Sequence, residues 1–118
     1  MELDTTFLAS PAVQRWVEGL RTQSGVEVDS EDERLQLLAG FCRATDRTPD
    51  EIVESCFLRR RETGERFLSV KRRQAISNEI DRYVESTGHE GHAFVVTSNT
   101  LRSFLIHNGV FISSAAPR

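Results

Sequence analysis

At 118 residues, 38% hydrophobic and 28% charged, the chain is long enough to bury a core without disulfides or a structural metal. No apolar run approaches the length of a membrane span, and the first residues lack the basic-then-apolar order of a secretion signal, so a cytoplasmic protein is expected. The formal net charge of −3 argues against a chain coated by polyanion over its whole surface, though not against a local basic face.

The sequence predicts an all-α fold, a compact bundle of about five helices. The first opens with Ser10 as N-cap and Pro11 at the first helical position, and Val13, Trp16, Val17 and Leu20 form its inward stripe. Ser30-Glu31-Asp32-Glu33 reads as a capping box for the second, which buries Leu35, Leu38, Phe41 and Cys42. The third has the clearest start in the chain, Thr48-Pro49-Asp50-Glu51, with Ile52, Val53, Cys56 and Phe57 inward. Arg59-Arg60-Arg61 is expected at its exit, and Thr63-Gly64 breaks it. The fourth is expected from about Ser69 to Thr87, stopped by Gly88, with Ile76, Ile80, Tyr83 and Val84 on its stripe. Arg73 falls on that stripe one turn earlier, so either the start of this helix projects beyond the core, the simpler account, or Arg73 snorkels to reach solvent or a partner.

The fifth helix, from about Gly91 to His107, has no Asp or Glu beyond the preceding Glu90. Its spacing puts Ala93, Phe94, Val96, Thr100, Leu101, Phe104 and Leu105 on one broad side. Val95, Ser98, Asn99, Arg102, Ser103 and Ile106 take the other. In a chain with 18 acidic residues, a carboxylate-free helix with Arg, Asn and small hydroxyls outward suggests a surface that meets phosphate. Val110-Phe111-Ile112 reads as a short extended segment, and residues 113–118 as a linker or tail.

Charge is unevenly divided along the chain. Residues 1–57 hold 12 acidic and 5 basic groups, residues 58–75 hold 2 acidic and 7 basic, and residues 76–118 hold 4 acidic and 3 basic. The local field decides where a polyanion docks, so the middle block is a candidate phosphate surface. The plain alternative is a solvated helix face, or pairing with the acidic N-terminal half.

Several short motifs, in order, resemble the N-terminal SAM-like, core-binding domain of phage integrases and tyrosine recombinases, in particular the archaeal type. They are Leu8-Ala9-Ser10-Pro11 with Trp16-Val17 and Leu20; Leu38 and Phe41; Thr48-Pro49-Asp50-Glu51-Ile52-Val53; Ile80, Tyr83-Val84 and Gly88; and Leu101-Arg102-Ser103-Phe104-Leu105 with Asn108-Gly109. The resemblance implies a helical DNA-binding domain over residues 1–112 that forms half of a clamp around a recombination half-site. Residues 113–118 would then lead toward a catalytic domain outside this chain. It implies double-stranded DNA and other recombinase protomers as partners. It also implies that the helices spanning roughly Ser30 to Ala44 and Gly91 to His107 approach the DNA. Glu90 stands where the family usually has a serine cap, a role a carboxylate can take. Glu31, Asp32 and Glu33 put negative charge at the start of the second helix, which opposes contact there.

Arg102 and Asn99, one turn apart, are the expected base-reading pair, with Ser98 and Ser103 beside them. Arg59, Arg60, Arg61, Arg66, Lys71, Arg72 and Arg73 are expected to position phosphates, and Arg43 and Arg47, with Arg34 and Gln36, to add contacts from the second helix. No catalytic group is expected. Tyr83, the sole tyrosine, falls on an inward stripe, and Cys42 and Cys56 lie on apolar faces with no visible base. His89 and His92 with two distant cysteines do not make zinc spacing, and no cofactor, small-molecule substrate or membrane is implied. The alternative function is a helical protein-interaction module that docks an acidic partner or associates with itself.

Overall fold

A computed structural model describes residues 3–24 and 31–114. The elements in chain order are α1 (Thr5–Leu8), α2 (Pro11–Ser24), α3 (Glu31–Thr45), α4 (Pro49–Glu54), β1 (Phe57–Arg59), β2 (Arg66–Leu68), α5 (Val70–Ser86) and α6 (Gly91–Ile106). The protein is therefore mainly helical, with six helices among the described residues rather than about five, and with one small antiparallel hairpin. No helix among the described residues is long and apolar enough to cross a membrane.

Local signals explain where α4 and α5 begin. Thr48 and Glu51 close the expected capping box reciprocally. The Glu51 N–H donates to Thr48 Oγ1 at 3.1 Å, and the Thr48 N–H to Glu51 Oε1 at 2.9 Å. Ser69 caps α5 through its hydroxyl, which accepts from the Arg72 N–H at 3.2 Å. Gly88, with φ of +86°, lets the chain leave α5 in the left-handed conformation that a side chain would resist. The cap on α2 differs from expectation. Ser10 Oγ donates to Asp50 Oδ2 at 2.8 Å, and Asp50 Oδ1 accepts the Ala12 N–H at 3.0 Å. A carboxylate from α4 thus caps α2 across the fold, because α2 and α4 pack together. Glu90 makes no side-chain cap to α6, so the expected carboxylate substitution does not occur. The Ser30 cap lies outside the described residues.

One hydrophobic core joins α2, α3, α4, α5, α6 and Val110. Trp16, Phe41, Phe94 and Phe104 are its largest fully buried side chains. Trp16 meets Phe104 edge-on, at 5.6 Å between ring centroids and 75° between planes. Phe41 meets the half-buried Tyr83 in the same manner at 5.4 Å.

Helix α6 sits in the middle, packed by α5, α2 and α3. Phe94, Ser98, Leu101, Arg102, Phe104 and Leu105 are all buried on it. Ala93, expected inward, is exposed, and Val95, expected outward, packs against the core. Gly19 allows the tight approach of α2, since a Cβ there would overlap the His107 ring at the end of α6.

Residues expected to trail from the third helix instead fold back. Phe57 pairs with Leu68, Leu58 with Phe67, and Arg59 with Arg66. The hairpin arises because Phe57-Leu58 and Arg66-Phe67-Leu68 favour extended backbone, and Gly64, at φ +70°, supplies the reversal.

Candidate nucleic-acid interface

The basic block of the sequence forms a corner where this hairpin runs into α5. The Ser69 N–H donates to the Cys56 carbonyl at 3.0 Å, so the two ends of the block meet and the hairpin is anchored to the helix start. No acidic residue lies in the first turn of α5, which leaves the positive end of the helix dipole unopposed there.

Some of the corner's cations are engaged locally. The Arg66 guanidinium lies 3.5 Å from the Phe57 ring centroid and 2.8 Å from Glu54 Oε1. Arg60 stacks over Phe67 at 5.1 Å and approaches Glu65 at 3.9 Å. Arg59 Nη1 donates to the Gly64 carbonyl at 3.0 Å. Arg73 Nη1 donates to the Phe111 carbonyl at 2.9 Å, so the expected projecting arginine is met by the segment after α6. Arg61, Lys71 and Arg72 are exposed and form no ion pair among the described residues. Arg59 and Arg66 stand directly opposite each other on the ribbon, and Glu54 beside Arg66 offsets part of that like-charge repulsion.

The residues expected to read bases from the last helix are placed otherwise. Arg102 is only 3% exposed; its Nη1 lies 3.0 Å from Asp81 Oδ1, and its Nη2 donates to Ser77 Oγ at 2.6 Å. Ser98 is fully buried, and Ser103 Oγ accepts from Trp16 Nε1 at 3.1 Å. Asn99 is half-buried. The expectation that Arg102 and Ser98 belong to an outer DNA-reading face is therefore corrected, and Ser103 is committed to Trp16. The helix lacks carboxylates because it is central, where an unpaired carboxylate would be costly, and its one arginine is neutralised from α5. The spacing of Ser77 and Asp81, one turn apart beside the Ile76–Ile80–Val84 stripe, was the sequence signal for that partner.

Contacts from α3 are also reduced. Arg47 forms an ion pair with Glu79 of α5. Arg34 and Gln36 are half-buried, and Glu31 pairs with Arg21 at 2.8 Å. Arg43 is exposed, but it lines an open groove with Phe7, Cys42 and Pro49 between α1, α3 and α4. The geometry thus joins the hairpin cations to the α5 start, and it does not add α6 to them.

Among the described residues, no group of three or more His, Cys, Asp or Glu side chains is placed to hold a metal ion. His89 Nδ1 lies 2.6 Å from Thr87 Oγ1. Burial pushes the Cys42 thiol up from 9.0 to about 12, against the opposing pull of Arg47 and Arg43, and burial also raises Cys56. At pH 8 both thiols are expected to resist iodoacetamide in the folded chain and to react readily once denatured, as counted by mass spectrometry. A raised thiol pKa favours folding below about pH 9, and that contribution fades as the pH climbs toward the folded value.

No protein-family model matches the chain, and neither a curated protein nor a solved structure matches it.

Proposed function

We propose that this chain is a DNA-binding domain whose contact surface is the corner formed by the β1–β2 hairpin and the start of α5. One observation carries the reading. Arg61, Lys71 and Arg72 are exposed without an ion-pair partner among the described residues, beside a cross-strand pair of arginines, in a chain that is acidic elsewhere. No ion pair among the described residues uses Arg61, Lys71 or Arg72, whereas a phosphate backbone would neutralise them. Such contacts hold duplex DNA in register and do not read its sequence.

The narrower form of the proposal is the core-binding domain of a tyrosine recombinase, clamping a half-site while a separate domain cuts and rejoins the strand. Its support is the order of motifs from Leu8 to Gly109 and the mainly helical build. It differs from the family's pattern in moving the contact from the central helix to the hairpin corner.

Fluorescence anisotropy with a labelled duplex across about 50 to 200 mM salt tests the proposal. Native protein is expected to bind at low salt with a steep logarithmic salt dependence. Replacing Arg61, Lys71 and Arg72 together by Ala should reduce the slope by about 2 to 3, near one for each phosphate no longer neutralised. An unchanged slope, or no binding at low salt, would overturn it. Self-association in sedimentation without DNA affinity would favour the helical interaction module instead.

A further inference from the structure

The segment after α6 alternates. Val110 is fully buried and Ile112 packs against the core, so Phe111 between them points out. Phe111 is 66% exposed, and Val70 at the start of α5 is 70% exposed; these are the two most exposed large hydrophobics among the described residues. Arg73 links the two segments that carry them. Arg73 holds the Phe111 carbonyl at 2.9 Å, and Val70 precedes Arg73 by one helical turn on the same face of α5. Lys71 and Arg72 follow Val70 directly, exposed and without ion pairs among the described residues.

We infer that Phe111 is a stacking platform for an unpaired nucleobase, with Val70 at the neighbouring helix start and Lys71 holding the adjoining phosphate. The inference rests on the DNA-binding reading and narrows its substrate to DNA with bases out of the helix, such as a frayed end or an overhang. A single exposed phenylalanine is ordinary. One set against a cationic helix start with no carboxylate in its first turn has the two features that single-stranded nucleic acid recognises, an aromatic face and a positive track. Within an intact duplex the base faces are covered by their neighbours, so the ring has a partner only where stacking is interrupted. An anionic bilayer would also meet cations and apolar groups. It takes up an amphipathic helix by a long apolar face, however, whereas here the apolar part is two side chains beside an arginine-rich ribbon.

The test compares a fully paired duplex, the same duplex with about six unpaired nucleotides at one end, and vesicles of anionic phospholipid, each with native protein, Phe111→Ala and Phe111→Trp. Native protein is expected to favour the overhang substrate. Phe111→Ala should lose about tenfold on the overhang and little on the paired duplex, while Phe111→Trp should retain the preference. Equal binding of native protein to both DNAs, or an overhang preference that survives Phe111→Ala, overturns the inference and leaves duplex binding standing. Absence of binding to every DNA at low salt removes the DNA-binding reading as well. Vesicle binding that depends on Phe111, without an overhang preference, reassigns the patch to a lipid surface. Because Phe111 is exposed, circular-dichroism melts of both variants should overlay the native curve.

Discussion

Arg102→Met is expected to destabilise the fold by about 3 kcal/mol in urea unfolding and to leave the salt dependence of duplex binding unchanged. The reasoning starts from what the guanidinium does. It places one nitrogen 3.0 Å from Asp81 and another 2.6 Å from Ser77 Oγ, at a site where Arg102 is 3% exposed. Removing the cation leaves Asp81 facing an apolar helix without that counter-charge. The Asp81 side chain is 15% exposed, so water can reach part of it, which sets the loss toward the low end of the about 3–5 kcal/mol typical of broken buried pairs. Arg102→Lys should recover only part of the loss, because one ammonium cannot span both Asp81 and Ser77 as the planar fork does. Replacing Arg102 and Asp81 together by apolar residues should cost less than Arg102→Met alone, since the Arg102 Nε is itself buried with no hydrogen-bond partner and the pair is imperfectly satisfied. A variant that keeps native stability and loses DNA affinity would return Arg102 to the binding surface.

That contrast marks where the sequence was legible. The start of α4 was readable because capping is local chemistry, and Thr48 and Glu51 act on each other within one turn. The inward stripes of α2 and α5 were readable because those helices bury one face only, as Trp16 and Ile80 show. Helix α6 was misread for a physical reason. Helix α6 is packed by three others, so Arg102 and Ser103 point at partners rather than at water, and periodicity alone cannot identify those partners. The hairpin was missed because three-residue strands give little alternation, and a run of arginines looks like a helix exit. The signals available were Thr63-Gly64 as a reversal and an aromatic in each flanking segment, Phe57 and Phe67. The basic block itself was legible as charge, yet its division into engaged and free cations was not. Glu54 lies 12 residues from Arg66 in sequence, and only the fold brings it to 2.8 Å.

Trp16→Ala is expected to have the larger stability effect, about 4 kcal/mol, because truncating a buried tryptophan costs both its transfer free energy and the cavity left behind. Trp16 is fully buried, lies edge-on to Phe104, and ties α2 to α6 through its Nε1–H bond to Ser103 Oγ. The surrounding helices cannot collapse into the space easily, since Gly19 already lets α2 press against His107 at the next contact along that interface. Against a total of about 5–15 kcal/mol for a domain of ordinary stability, such a loss brings the fold near its limit. At roughly 4 °C per kcal/mol, the melting midpoint by circular dichroism should fall by roughly 15 °C. Trp16→Phe separates the two contributions. It keeps an aromatic edge near Phe104 and gives up the hydrogen bond, and the half-buried Ser103 hydroxyl can turn to water, so a loss of about 1–2 kcal/mol is expected. Neither variant touches the hairpin corner. Below the midpoint both should bind duplex DNA with the native salt slope, whereas the triple substitution at Arg61, Lys71 and Arg72 should flatten that slope at native stability. If Trp16→Ala lowered the slope as well, the corner and the core would be coupled, and the assignment of contact to the exposed cations alone would fail.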